Sequence, residues 1–218
     1  VEGLPVTIAT YADLQTKIGE YLARSDLTSY IPDFIAGAEA RIAFGAAGQF
    51  SSDPLRIRAM ETSADITVTG GTGALPTGYL EGRRMYWDAS PKRVIEQTSP
   101  EDFYRKWGGS TQGVPNTYII EGDNILVAPQ ASGTIKALFY KKFDPIASAS
   151  PVTWLLTNSP LVYVYGALLE ATPFIRNDQR LPMWHAMFKG AVEALNMSNM
   201  RDRWSGSALA VRNDTGNP

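Results

Sequence analysis

The 218-residue chain has no cysteine and a single histidine, His185. That excludes a disulfide scaffold, a thiolate nucleophile, Cys-ligated zinc and any multi-histidine metal site within one chain. Long apolar runs are also missing: none approaches the ~20 uninterrupted residues of a membrane helix. No charge of one sign dominates, with 20 basic against 22 acidic residues and a formal charge of −2. A protein whose main task is to grip phosphates carries a basic stripe, and this balance argues against one. The first ten residues, VEGLPVTIAT, lack a basic region followed by an apolar core, so they do not read as a signal peptide. A chain of this length can bury a core without staples, as one domain or a domain with a lobe.

What is present is a helix pair toward the C-terminal end. Ser159-Pro160 is a start signal, Ser as a cap and Pro as a first-turn residue that has no N–H to leave orphaned. Leu161, Tyr165, Leu168 and Thr172 share one face, broadened by Val162, Val164 and Leu169, which predicts a helix buried on several sides. Pro173 kinks or stops it, and Arg176-Asn177-Asp178 makes a turn. A second helix from Pro182 to Trp204, roughly 35 Å long, carries Trp184, Phe188, Ala191 and Leu195 at helical spacing. Met183, Met187, Val192, Met197 and Met200 lie beside them.

Upstream, Thr10 and Asp13 open a helix with Leu14, Ile18, Tyr21 and Leu22 inward. Asp is shorter than the Glu of a full capping box. Ser25-Asp26 ends that helix or begins a turn. Near Pro32 another begins, with Ile31, Ile35, Ala38 and Ile42 on one face, Glu39 and Arg41 outward, and Gly45 and Gly48 at its end. The middle changes period. Residues 62–69 alternate and are β-branched, and short strand candidates follow at 79–87, 93–97, 117–121, 124–128 and 134–143. Glu121-Gly122-Asp123-Asn124 has the composition of a hairpin turn. Ser99 to Asp102 caps a short helix bearing Phe103, Tyr104 and Trp107. The expected class is α+β, an antiparallel helical bundle with an inserted β-rich lobe. Residues 1–54 form the N-terminal half of the bundle, 55–143 the lobe with its short helix, 144–204 the C-terminal half, and 205–218 an aperiodic extended arm.

Chemical motifs are scarce. His185 has no G-x-S-x-G elbow to serve and reads as a packing or interface residue. Thr69-Gly70-Gly71-Thr72-Gly73 suggests a phosphate loop, but no helix pattern begins after it, so a flexible strand connection is the better reading. Glu81, Glu96, Glu101, Asp102 and Glu121 could be paired for glycoside hydrolysis, but fit surface, cap and turn positions equally well. Basic pairs at Arg56/Arg58, Arg83/Arg84, Lys141/Lys142 and Arg201/Arg203 suit solvated faces or interface rims. Tyr79, Tyr86, Trp87, Phe103, Tyr104 and Trp107 suit a lobe core or a subunit interface better than base stacking. No catalytic, cofactor or metal residue is assigned.

The order of segments carries a resemblance. ATYADLQTKIGEYLARSDLTSYIPDFIAGAEARI at 9–42 resembles the opening of the head-to-tail adaptors of tailed bacteriophages, the tail tubular protein A-like proteins. RAMETSADITVT at 58–69, YLEGRRMYWD at 79–88, SPEDFYRKW at 99–107 and YIIEGDNILVAP at 118–129 continue it. TWLLTNSPLVYVYGALLEATPFIRNDQRLPMWHAMFKGAVEALN at 153–196 closes it. The resemblance implies a non-enzymatic virion protein. It would form a ring, typically dodecameric, docked below the portal at the head–tail junction. Its partners would be further copies of itself, the portal protein and the next tail or nozzle protein. Double-stranded DNA would pass through the channel without specific binding, no membrane would be involved, and assembly would take place in the host cytoplasm. Portal contact would fall to the C-terminal end, with Met200, Arg201, Arg203, Trp204, Leu209, Val211 and Arg212 as docking residues. The loop from Gly48 to Pro54 matches no family pattern. Two readings of other classes stand beside this one: a tail-associated glycan-degrading enzyme, and a β-rich ligand-binding module on a helical stalk.

Overall fold

The structure, a computed structural model, describes residues 8–108, 111–175 and 178–204, the last four of these by their helical backbone alone. The α+β expectation holds: helices that pack together, and a closed seven-stranded barrel. They form two compact units, the described residues up to Ile57 with those from Leu155 on, and Arg58–Trp154.

The helical unit holds α1 (Tyr11–Leu22), α2 (Ile31–Phe44), α5 (Pro160–Glu170) and α6 (Leu181–Trp204). Thr10 and Asp13 close a full capping box despite the short acid. The Asp13 amide donates to Thr10 Oγ1 at 3.2 Å and the Thr10 amide to Asp13 Oδ2 at 2.9 Å. The Asp13 carboxyl lies below the usual carboxylate range because the Thr10 hydroxyl and amide bond its charged form. Between α1 and α2 the expected turn is a 3-10 helix, Ser25–Tyr30. Helix α5 is the centre: Val162, Tyr163, Val164, Ala167, Leu168 and Leu169 are all buried. It differs from expectation at its start, where Ser159 makes no side-chain cap and Pro160 alone marks the first turn. Leu161, placed on the apolar face by spacing, is 45% exposed. Pro173 acts as a stop, inside a short 3-10 segment, Thr172–Phe174.

Helix α2 crosses α5 at close range. A Cβ on Gly166 would stand 2.9 Å from Ala38 Cβ and 3.2 Å from Phe188 Cε2 of α6, so the missing side chain sets the distance between three helices. One turn on, Arg41 Nε pairs with Glu170 Oε1 at 2.7 Å, and Arg41 Nη1 donates to the Phe50 carbonyl at 2.8 Å. Arg41 therefore does not look outward as its helical position suggested. Arg180, just before α6, donates from Nη1 to the Tyr21 carbonyl in the last turn of α1 at 2.9 Å and lies over the Trp184 ring.

In the second unit, β1 (Glu61–Thr69), β2 (Thr72–Ala74), β3 (Tyr79–Trp87), β4 (Arg93–Gln97), β5 (Thr117–Glu121), β6 (Asn124–Ala128) and β7 (Gly133–Lys141) close in the order β1-β2-β6-β5-β4-β3-β7. All neighbours are antiparallel except β4 and β5. Gly70 and Gly71, at φ 58° and 88°, form a turn, and Thr72 starts the short strand β2 where only a connection was expected. No helix follows, which removes the phosphate-loop reading. The two-residue turn at Gly122-Asp123 joins β5 to β6. Ile66, Val68, Met85, Trp87, Tyr118, Ile125, Val127, Ile135 and Phe139 fill the barrel. On the outer side, Ile119 and Ala128 pack under Phe103 of α3 (Pro100–Trp107). Strands β5 and β6 are thus covered on both faces, which is why their sequences run apolar without alternating. Helix α4 (Trp154–Asn158) lies in the stretch read as a plain connection.

Two measurements check this packing. Replacing Gly166 with Ala should overpack the crossing and cost about 1–3 kcal/mol in urea unfolding of the helical signal. Adding Ala38→Gly should return part of that loss, because the two methyl groups compete for one space. In the barrel, burial pushes the Tyr79 phenol up to about 12, with charge repulsion from the Tyr118 phenol group adding a smaller push. The folded chain then holds the neutral phenol where the unfolded chain would ionise it. That contribution is complete below about pH 10 and is lost as pH rises toward 12. The decline in stability between about pH 10 and 12 should be shallower for Tyr79→Phe than for the parent.

Candidate functional site

Helix α6 is the longest element and offers three different faces. Trp184, Phe188 and Val192 are buried against the bundle. A second face holds the segment from Gly45 to Ile57, which has no regular ladder of its own. The His185 ring nitrogen Nε2 lies 2.7 Å from the Ser51 carbonyl, with the Phe50 ring edge-on at 5.5 Å. Since a carbonyl only accepts, Nε2 carries the proton there. Farther along, Asn196 Nδ2 donates to the Pro54 carbonyl at 3.2 Å and Asn196 Oδ1 accepts the Arg56 amide at 2.9 Å. Asn199 Nδ2 donates to the Arg56 carbonyl at 3.0 Å. Arg56 itself reaches back to the Ala43 and Leu55 carbonyls. One helix thus supplies the partners that an irregular strap needs for its backbone.

His185 is therefore a clamp, in line with its reading as a packing residue. Ser52, in the middle of the strap, is 8% exposed, and among the described residues its hydroxyl has no hydrogen-bond partner.

The third face points away from the bundle. Met183 and Met187 are each 50% exposed, Met197 56% and Met200 62%. Spacing had set these residues beside the core positions, and the structure puts them outside it. Four of the chain's six methionines are on this surface. Of the expected docking residues, Met200 is thus available on the surface. Arg201, Arg203 and Trp204 continue the helix, and their side chains lie outside the described residues, as do Leu209, Val211 and Arg212 altogether.

Two of the hollows in the β unit take in aromatic residues marked in the sequence. One, about 320 Å³, lies between α3 and the strands and is lined by Phe103, Trp107, Gly71 and Leu126. The other, about 790 Å³, is lined by residues of β3 and of the Gly122 turn, including Tyr79, Glu81 and Asp123. Two of the five carboxylates proposed for hydrolysis have local duties. Asp102 accepts from the Ser99 hydroxyl at the start of α3 and pairs with Arg105. Glu121 accepts the Tyr104 hydroxyl at 2.7 Å, which raises the Tyr104 phenol. Of the basic pairs, Arg83 bonds Glu61 at 2.8 Å and Lys141 bonds Asp144 at 3.0 Å. Among the described residues no group of three or more His, Asp or Glu could hold a metal ion, and no helix is long and apolar enough to cross a membrane.

The strap contacts and the surface methionines were missed from the sequence. An amide at Asn196 and another at Asn199, one turn apart on a long helix, were the available signal for a bound strap. The methionines stand at 183, 187 and 197, and that spacing marks a stripe without saying which way it faces.

No curated protein matches the chain. The family model described as SU10 adaptor protein matches residues 9–212, which takes in the helical segments, the barrel and α6. A structural adaptor family implies a non-enzymatic role and binding to other phage proteins. The chain belongs to the SU10 adaptor family, the phage head–tail adaptor proteins.

Proposed function

We propose that the protein forms a dodecameric ring at the head–tail junction of the virion, joining the portal to the next tail or nozzle protein and extending the channel through which DNA leaves. The family match over residues 9–212 carries this reading. Each subunit makes a head-to-tail contact with the next, and rotation closes the ring. Weak docking contacts are multiplied around it when all engage together. The charge of −2 supports a wall that lets DNA slide, since a surface that neutralised phosphates would hold it. Basic side chains satisfied by neighbours, such as Arg83 on Glu61, point the same way. Assembly takes place in the host cytoplasm, and the domains act as two halves of one helical frame, residues 1–54 and 144–204, carrying the lobe 55–143 and the arm 205–218.

Portal docking is assigned to the end of α6 and the arm, at Met200, Arg201, Arg203, Trp204, Leu209, Val211 and Arg212. A chain ending at Trp204 should keep its unfolding midpoint and lose association with portal rings, read as particle mass in sedimentation. Undiminished binding by the shortened chain contradicts the assignment.

A further inference from the structure

We infer that the methionine face of α6 docks into a groove on α1 of a neighbouring copy of this chain. The inference rests on the ring reading and names the two patches that would join. On a helical projection Met183, Met187, Gly190, Ala194 and Met197 fall within about 80° of each other. All five are exposed, and a Cβ on Gly190 would meet nothing within 4 Å. Between Met183 and Met197 the face carries no charge, and the Lys189–Glu193 pair borders it. Taking about 200 Å² for a free methionine, the three methionines of the face expose roughly 300 Å². Single surface apolar residues need no explanation, but a contiguous patch of that size does. It amounts to more than a third of one partner's share of a standard interface, enough for its apolar centre.

A head-to-tail contact needs a second, different patch on the same chain. A shallow groove of about 430 Å³ meets that need, lined by Ala12, Gln15, Thr16 and Gly19 of α1, with Thr28 and Ile31 beyond. Its residue types look half polar, but the hydroxyls are already used. Thr16 Oγ1 donates to the Ala12 carbonyl and Thr28 Oγ1 to the Ser25 carbonyl, each at 2.9 Å. What remains for a partner is methyl groups, the bare Gly19 backbone and one polar side chain, the Gln15 amide. Long, unbranched and polarizable side chains fill such an irregular hollow well. The rims match too: Lys17 with Glu20 beside the groove, Lys189 with Glu193 beside the methionines, each with both signs. Neither patch forces like charges together.

The cysteine-free chain allows a clean test. M187C and T16C chains, mixed with portal rings of the same phage and a mild oxidant, should give a covalent dimer containing one chain of each kind. Neither variant should cross-link alone, and the double variant should give a ladder of multimers. Met187→Glu should raise the concentration for half-assembly about tenfold, while Met187→Leu assembles like the parent. Both should unfold like the parent because position 187 is half exposed. Rings formed equally well by Met187→Glu, or M187C chains that cross-link to each other, overturn this docking and leave the ring reading intact. A parent chain that stays monomeric with portal rings present overturns the ring reading and the docking with it.

Discussion

The contact at Gly166 sets the rest of the helical unit. Helix α5 is apolar almost all round, so it must be covered on every side. With no side chain at 166, Ala38 of α2 and Phe188 of α6 come in together on one spot. Close approach brings the Arg41 guanidinium over the end of α5, where Glu170 and the Phe50 carbonyl share it. That ion pair is half-buried, and its worth lies in geometry more than in net energy. It fixes how far α2 slides along α5, and so where the strap after α2 begins.

From there the strap's course follows from its own poverty. Residues 45–57 make a single short bridge, Ala46 to Ser52, and otherwise lack regular pairing. Their carbonyls and amides need partners, and α6 provides them from His185, Asn196 and Asn199. A helix that packs on α5 with one face and grips the strap with another has only its third face left. That face carries methionine where a solvated helix would carry lysine and glutamate.

Local chemistry was legible in the sequence and remote chemistry was not. Thr10 with Asp13, Ser99 with Asp102, Pro160 and the Gly122 turn act within a few residues of themselves, and each marks an element boundary in the structure. The alternation of Ile66 and Val68 gave the barrel its inward face in the same way. Where a distant partner decides, the local signal failed. Leu161 fits the apolar period of α5 but lies exposed, and Arg41 fits a solvated position but is claimed by Glu170. Ser159 has the right side chain for a cap and does not make one. Strand β2 is three residues long and exists only because β1 and β6 flank it. The strap's partners lie on α6, more than a hundred positions along the chain, and no window of sequence contains both.

The short helix α3 shows how one such remote constraint dictates a local feature. Strands β4 and β5 are the parallel neighbours in the barrel, and a parallel pair cannot be joined by a tight hairpin. The chain has to leave the end of β4 and return to the start of β5 by a crossover. The crossover contains α3, capped by Ser99, which lays Phe103 on Ile119 and Ala128. It covers the outer face of the two strands whose outward residues are apolar, so that the connection forced by topology also removes the surface that β5 and β6 would otherwise expose. Closing the barrel leaves no free strand edge there, and covering β5 and β6 leaves no bare apolar strand face beneath α3. Within the described residues, a contiguous apolar surface does persist on α6.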